Sequence, residues 1–269
     1  MIVTVKRDPV IRARTTGVVG LLLATAWFAS LASLSAAPAP TAQEILAKSI
    51  QAHGGSKLTA WKTMAVEGTI VVVDGVPYQA AYRLWAKAPG KLRVEHDLTA
   101  DRGRRFDQYF LDGGVSWLRR NLIVSTVPVA RMQRWLDQCS GIAAYARHSA
   151  AFSLQPDAVV EWQVQEQPGS ASLKTTESGP AWVIRATIDG VVVDLYIDKE
   201  RAFLLQEVTP DGRRVYSGFT NFAGRTLPTR INEYVRSRQG ETLTPITWKT
   251  VKYDVPVQDW LFQEDKPAK

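Results

Sequence analysis

The chain of 269 residues contains a single cysteine, Cys139, and only three histidines and three methionines. One cysteine excludes an intramolecular disulfide bond, so packing alone has to stabilise the fold. The sequence neighbours Trp135, Leu136 and Ile142 are apolar, which predicts that Cys139 is a buried, unreactive thiol.

Residues that commonly carry catalysis or bind cofactors are equally scarce. The histidines His53, His96 and His148 are far apart, and strand alternation would send His96 away from its acidic neighbours. The sequence has no Gly-x-Ser-x-Gly motif and no glycine-rich phosphate loop ending in Lys-Ser or Lys-Thr. We therefore expect no metal, no cofactor and no catalytic residue, and we interpret the protein as a non-enzyme. An exported hydrolase is the alternative that this pattern argues against.

The first 36 residues have the order of a secretory signal peptide. An apolar stretch, Val18–Leu34, follows a basic start and leads into small residues, and we expect cleavage after Ala36 or Ala37. The basic start consists of Lys6, Arg7, Arg12 and Arg14. The alternative is an uncleaved anchor in the inner membrane, because the apolar stretch approaches the length of a spanning helix.

Removal of residues 1–36 takes away four basic residues and Asp8, so the net charge falls from +7 to +4. The remaining arginines are scattered among acidic residues, which argues against a nucleic-acid-binding face. We expect residues 37–40 to be a linker and residues 41–269 to form a single domain.

Hydrophobic periodicity predicts a mainly β protein with a few helices. Thr41 and Glu44 have the spacing of a capping box, which predicts a helix from residue 41 to residue 52. Alternating segments joined by short turns, such as Asp74-Gly75, follow from Met64 onward. A helical spacing covers Val129–Phe152, with Gly141 as a point where it splits, and the segment 167–180 reads as a loop. We count about ten strands and predict a curved antiparallel half-barrel wrapped around helices.

Several short motifs carry a family resemblance. Leu84-Trp85-Ala86-Lys87-Ala88-Pro89-Gly90-Lys91-Leu92-Arg93 reads as strand, turn and strand, and Leu111-Asp112-Gly113-Gly114-Val115-Ser116-Trp117 reads as a hairpin. Ala52-His53-Gly54-Gly55 precedes these strands, and the segment from Phe222 to Tyr234 follows them. The order of these segments carries the resemblance. The mature chain thereby resembles the outer-membrane lipoprotein-sorting, or periplasmic lipoprotein carrier, family with the LolA/LolB-like fold.

The resemblance implies a half-barrel with a hydrophobic cavity. In the carriers, a strand of this type ends in Lys-Arg-Pro, and the arginine helps to hold the lid closed. This chain has Lys87-Ala88-Pro89 instead, and the Ala88 side chain cannot donate a hydrogen bond. We therefore expect the fold to be kept but this lid contact to be missing.

Nine apolar residues on the predicted strands and on the helical insert are candidates for the hydrophobic cavity, with plain core packing as the alternative for each. They are Met64, Val66, Ile70, Leu84, Trp117, Trp135, Ile184, Val193 and Leu195.

Two functions follow from the resemblance. The first is a periplasmic carrier that binds a lipid or the acyl chains of a lipoprotein, for transport to the outer membrane or for its maintenance. The alternative is a lipid-responsive sensor or regulator that contacts a membrane-bound partner with the same fold. We expect a monomer whose partners are a lipid or an acylated protein, together with an inner- or outer-membrane protein.

Overall fold

The computed structural model describes residues 39–72, 78–98, 105–148, 151–165, 174–188, 190–238 and 240–263. The predicted signal peptide, residues 1–36, and the Asp74-Gly75 turn lie outside these residues. None of the helices in the described part of the chain is long and apolar enough to cross a membrane.

The first helix, α1 (Ala42–His53), begins where its capping box predicts. The Thr41 hydroxyl accepts from the backbone N–H of Glu44 at 3.3 Å, and the Glu44 carboxylate accepts from the backbone N–H of Thr41 at 2.7 Å. These two bonds pair donors that a helix N-terminus otherwise leaves open. Gly54, at φ 125°, ends α1, and a 3-10 helix (Gly55–Leu58) follows.

The strands of the described residues form one antiparallel sheet of thirteen members. They are β1 (Thr63–Val72), β2 (Tyr78–Lys87), β3 (Lys91–Leu98), β4 (Arg105–Asp112), β5 (Val115–Arg120), β6 (Ile123–Thr126), β7 (Phe152–Gln165), β8 (Lys174–Ile188), β9 (Val191–Asp198), β10 (Leu204–Thr209), β11 (Gly212–Phe222), β12 (Arg225–Ser237) and β13 (Gly240–Tyr253). The order across the sheet is β6-β5-β4-β3-β2-β1-β13-β12-β11-β10-β9-β8-β7. The first and last strands therefore pair at the centre and join two halves of successive hairpins.

The expected count of about ten strands is wrong, and two of the expected strands begin earlier in the chain than predicted. The short edge strand β6 was not predicted, because all four of its residues are exposed and show no alternation of burial. β7 begins at Phe152, which the helical spacing had assigned to the insert. β8 begins at Lys174, inside the segment predicted as a loop; the part of that segment before Lys174 lies outside the described residues.

The helical insert between β6 and β7 consists of α2 (Val129–Gln138) and α3 (Ala143–His148). Gly141, at φ 54°, lies between the two helices, as its sequence position predicts. α2 packs against β3, β4 and β5, and its Trp135 ring meets the Tyr109 ring edge-on at 5.1 Å. We call the face of the sheet that packs against these helices the inner face.

Cys139 lies at the end of α2 and is 2% exposed. Burial raises the pKa of the Cys139 thiol to about 12. The thiol therefore stays protonated at neutral pH, and the prediction of a buried cysteine is confirmed.

Candidate ligand cavity

A cavity of about 590 Å³ lies between the helical insert and the inner face of the second half of the sheet. Residues from α2, α3, the end of α1 and strands β8 to β13 line it. This volume falls within the range of about 300–1,000 Å³ that is common for small-molecule sites.

One end of the cavity is apolar and buried. Leu58, Leu204, Leu227 and Ile231 line it with exposed fractions of 1%, 6%, 3% and 6%. His53, at the end of α1, lines the same end. We call this part of the cavity the inner end. Its five residues carry no charge, because four are apolar and the imidazole of His53 is neutral, so it offers an apolar ligand a matching surface.

The imidazole of His53 is held in one tautomer by two backbone groups. Its Nε2 accepts from the Leu204 N–H at 3.1 Å, so Nδ1 carries the proton and donates to the Thr226 carbonyl at 2.6 Å. Burial lowers the pKa of His53, and the bond to Thr226 opposes that shift. The side chain is therefore neutral at neutral pH, and it adds no charge to the inner end of the cavity.

Three charged side chains lie in a row on the neighbouring strands β10, β11 and β12, beside the cavity. The register places Arg214 opposite Glu207 on β10 and opposite Glu233 on β12. Arg214 donates from Nη1 to Oε1 of Glu207 at 2.8 Å. It also donates from Nε and Nη2 to Oε1 of Glu233, at 3.1 and 2.7 Å. We call Glu207, Arg214 and Glu233 the polar collar.

The mouth of the cavity lies at the β10–β11 turn, where the lining residues become exposed. Asp211 and Arg236 line this rim, and the Asp211 side chain is 77% exposed. Arg134 Nη1 lies 3.6 Å from Oδ2 of Asp211, so α2 contacts the turn. Arg213 Nη2 lies 3.5 Å from Oε2 of Glu241. Arg236 Nη2 lies 3.9 Å from Oε1 of the same Glu241, so three rim arginines share two carboxylates.

The helical insert contacts the collar through two polar side chains. The Tyr145 hydroxyl donates to Oε2 of Glu207, and the Gln138 side-chain oxygen accepts from the Arg214 guanidinium when the amide is oriented to satisfy both groups. Burial raises the pKa of Tyr145, and the adjacent Glu207 adds to the shift. Burial alone would lower the pKa of Arg214, but Glu233 and Glu207 raise it well above its ordinary value. The phenol is therefore neutral and the guanidinium charged at neutral pH.

The nine candidate cavity residues are distributed over three environments. Trp135 and Val193 line the cavity. Six lie in the hydrophobic core of the inner face and are not among the lining residues: Met64, Val66, Ile70, Leu84, Ile184 and Leu195. The remaining candidate, Trp117, lies elsewhere.

The register places Trp117 on the outer face of the sheet. Trp117 pairs with Phe110 across β4 and β5, and the two rings stack at 5.2 Å. The next residue on β4, Tyr109, contacts Trp135 of the insert, so alternation turns Phe110 and Trp117 the other way. The structure therefore places Trp117 on the face of the sheet opposite the cavity.

The stacked rings of Phe110 and Trp117 lie close to the last segment of the described chain. The Arg93 guanidinium lies 5.1 Å from the centre of the Phe110 ring and donates to the Leu261 carbonyl at 2.9 Å. Leu261 belongs to the 3-10 helix Asp259–Phe262, which packs on β3 and β4. Trp117 is therefore part of a structural cluster of cationic and aromatic side chains.

The local sequence does not reveal the polar collar, because charged residues scattered along strands are typical of a solvated face. A usable signal exists at Glu207, which interrupts the apolar residues of β10 at an inward position. Nothing local shows that Arg214 and Glu233 stand beside it, because the register of three strands brings them together.

Comparison with known proteins supports the fold. No family model matches the chain, and no curated protein matches it. A LolA superfamily protein from Nitrosomonas europaea superposes with a TM-score of 0.55 at 16% identity, over 84% of this chain and 99% of that one. A DUF1329 family protein from Desulfovibrio piger superposes with a TM-score of 0.54 at 13% identity, over 82% and 97% of the two chains. At such low identity these similarities concern the fold alone, and they show that the chain has a LolA-like fold.

Proposed function

We propose that the protein is a carrier that binds a lipid, or the acyl chains of a lipoprotein, in the cavity beneath its helical insert. The observation that carries this proposal is the cavity itself, with its buried apolar inner end and its charged collar and rim. Burial of about 300 Å² of acyl chain contributes roughly 7 kcal/mol before the costs of ordering, so apolar contact is the main source of the affinity that we propose. Binding, not catalysis, is the role we propose.

The site that we propose differs from the nine residues named from the sequence. We keep Trp135 and Val193 as ligand contacts and add Leu204, Leu227 and Ile231 from the inner end. Met64, Val66, Ile70, Leu84, Ile184 and Leu195 support the site from the adjacent core.

We propose further that residues 1–36 direct export and are removed, that residues 37–40 form a linker, and that residues 41–269 act as one monomeric domain in the periplasm. Transport to the outer membrane, or its maintenance, agrees with the fold of the LolA superfamily structure. An inner- or outer-membrane protein would supply or accept the ligand.

The first experiment is identification of a ligand that co-purifies with the protein. The mature chain, exported in a bacterial host, is extracted with organic solvent and analysed by mass spectrometry. A lipid or acylated peptide present at one molecule per protein supports the carrier. A folded protein that stays empty when offered lipids contradicts it.

A cavity-blocking variant tests the location. Thr209 lines the cavity at the mouth side of the collar, so Thr209→Trp would obstruct entry. Thr250→Trp is the matched control, since Thr250 is exposed on β13 and is not a lining residue. We expect the first variant to lose the co-purified ligand and the second to retain it, with both folded by circular dichroism. Equal retention by the two variants contradicts the site.

The sensor or regulator is the second candidate, and one surface favours it. The β5–β6 turn and the start of β6 expose Leu122, Ile123 and Val124, with exposed fractions of 89%, 72% and 46%. Consecutive exposed apolar residues are characteristic of contacts with a partner or a membrane. Loss of a regulatory response in a Leu122→Ser, Ile123→Ser variant that still binds lipid would favour this role over the carrier.

A further inference from the structure

The polar collar stands between the apolar inner end of the cavity and its mouth. Glu207, Arg214 and Glu233 form one row across β10, β11 and β12. Gly212 lies two residues before Arg214 on β11, on the side of the β10–β11 turn. It pairs with Val235 near the exposed rim. In the other direction lie Tyr216 and its partner Ile231, which begin the inner end. A chain that fills the inner end therefore places its polar head at the collar.

The collar carries one negative charge more than it neutralises. Two carboxylates, Glu207 and Glu233, share one guanidinium, Arg214, and the Glu207 side chain is only 5% exposed. Both bonds from Arg214 to Glu233 end on Oε1. Within the described part of the chain, Oε2 of Glu233 is therefore available to accept a hydrogen bond from a molecule in the cavity, because a carboxylate has a second oxygen with its own lone pairs.

Resting on the carrier function proposed above, we infer that the cavity selects amphiphiles whose head donates N–H groups, above all a primary ammonium, to Glu233 at the collar. The apolar chain of such a ligand occupies the inner end. A charge-assisted hydrogen bond to a carboxylate in a partly dehydrated site is stronger than a neutral one, so the head determines the selectivity.

A carboxylate head is disfavoured at the same position. It would meet the surplus negative charge of the collar, and like charges at short range repel strongly away from bulk water. The nearest rim arginines already have carboxylate partners: Arg134 is paired with Asp211, and Arg213 and Arg236 share Glu241, at 3.5 and 3.9 Å. The cavity should therefore discriminate between heads of opposite charge on the same chain.

The test compares three ligands of equal chain length on the mature protein: dodecylamine, dodecanol and dodecanoate. Each displaces a neutral phenylnaphthylamine dye at neutral pH, below its micelle-forming concentration. We expect dodecylamine to bind at least about tenfold more tightly than dodecanoate, with dodecanol between them. Equal binding of the three, or tighter binding of dodecanoate, overturns the selectivity while leaving the carrier intact. Failure of the dye and all three ligands to bind overturns the carrier itself.

Variants then locate the selectivity. Glu233→Gln keeps the shape of the side chain and removes its charge, and we expect the ratio of the two affinities to fall about tenfold. Glu67→Gln makes the same change of charge at an exposed position on β1, and the ratio should stay within about twofold of the wild type. An unchanged ratio in a folded Glu233→Gln protein overturns the assignment. The comparison of ligands on the wild type tests the inference even if that variant does not fold.

Discussion

At the scale of the residue, Arg214 stands between two carboxylates on the neighbouring strands β10 and β12. Its side chain is 16% exposed, and its guanidinium carries the charge that holds Glu207 and Glu233 together. A buried ion pair contributes little relative to apolar residues of the same size, but removal of one partner leaves charges without compensation. The collar is thus a site where single substitutions have large effects.

Arg214→Met should therefore destabilise the protein by about 3–5 kcal/mol, because it leaves two carboxylates facing each other under the insert. Urea denaturation followed by circular dichroism measures this. The control is Arg185→Met, since Arg185 pairs with Asp194 in solvent and its loss should hardly move the midpoint. Equal shifts in the two variants would show that the collar is no more critical than a surface pair.

His53 gives the fold a dependence on acid. Its pKa is lowered by burial from an ordinary value of 6.5, so the unfolded chain binds a proton at a pH where the folded chain does not. The contribution of neutral His53 to the free energy of unfolding should be fully present above pH 6.5. It should be lost as the pH drops through the lowered pKa of the folded state. Thermal melting across this window measures the slope. His53→Gln should flatten it, and an identical slope in the variant would place its origin elsewhere.

At the scale of the element, prediction succeeded where a local signal existed. α1 was predicted because Thr41 and Glu44 form its cap within four residues. β7 was mistaken in part for helix, because the start of the strand, from Phe152 on, has no partner that its own sequence reveals. The order of the hairpins was predictable, whereas the contacts of the insert with the collar were not, since they join Gln138 and Tyr145 to strands far along the chain.

The insert should loosen when its contact with Glu207 is removed. Tyr145→Phe deletes the hydroxyl that donates to this carboxylate, at a cost of about 1 kcal/mol. We expect backbone amides of α2 and α3 to exchange about fivefold faster in hydrogen-exchange mass spectrometry, with the strands of the first half unchanged. Tyr196→Phe is the control on β9. Uniform acceleration over the whole chain would indicate a global effect instead.

At the scale of the whole molecule, the two halves of the sheet meet along one pair of strands. β1 pairs with β13, and a shift of register between Glu67 and Gly68 interrupts that pairing. A Cβ atom at Gly68 would lie 1.9 Å from the Thr247 carbonyl oxygen, so only glycine fits there. The alternation of residues along β1 predicted the strand, but this close approach depends on a partner at the far end of the sequence.

Gly68→Ala should therefore separate the central pair and destabilise the whole domain by about 1–3 kcal/mol. The control is Gly114→Ala in the β4–β5 turn, where a Cβ would meet nothing within 4 Å, and it should change the stability by less than about 0.5 kcal/mol. Chemical denaturation of both variants measures the difference. A Gly68→Ala protein as stable as the control would mean that the junction can adjust.

The pairing of the first strand with the last has a consequence for how the chain is made. Hairpins within each half can form as soon as their residues are available, because their contacts are local. The central ladder must wait for Gly240–Tyr253, the last strand of the sheet in chain order, and its formation closes a loop that contains nearly every other element. Until then β1 and β12 are both edges with open hydrogen-bonding groups. The newly made chain therefore exposes two strand edges to aggregation until its last strand has paired.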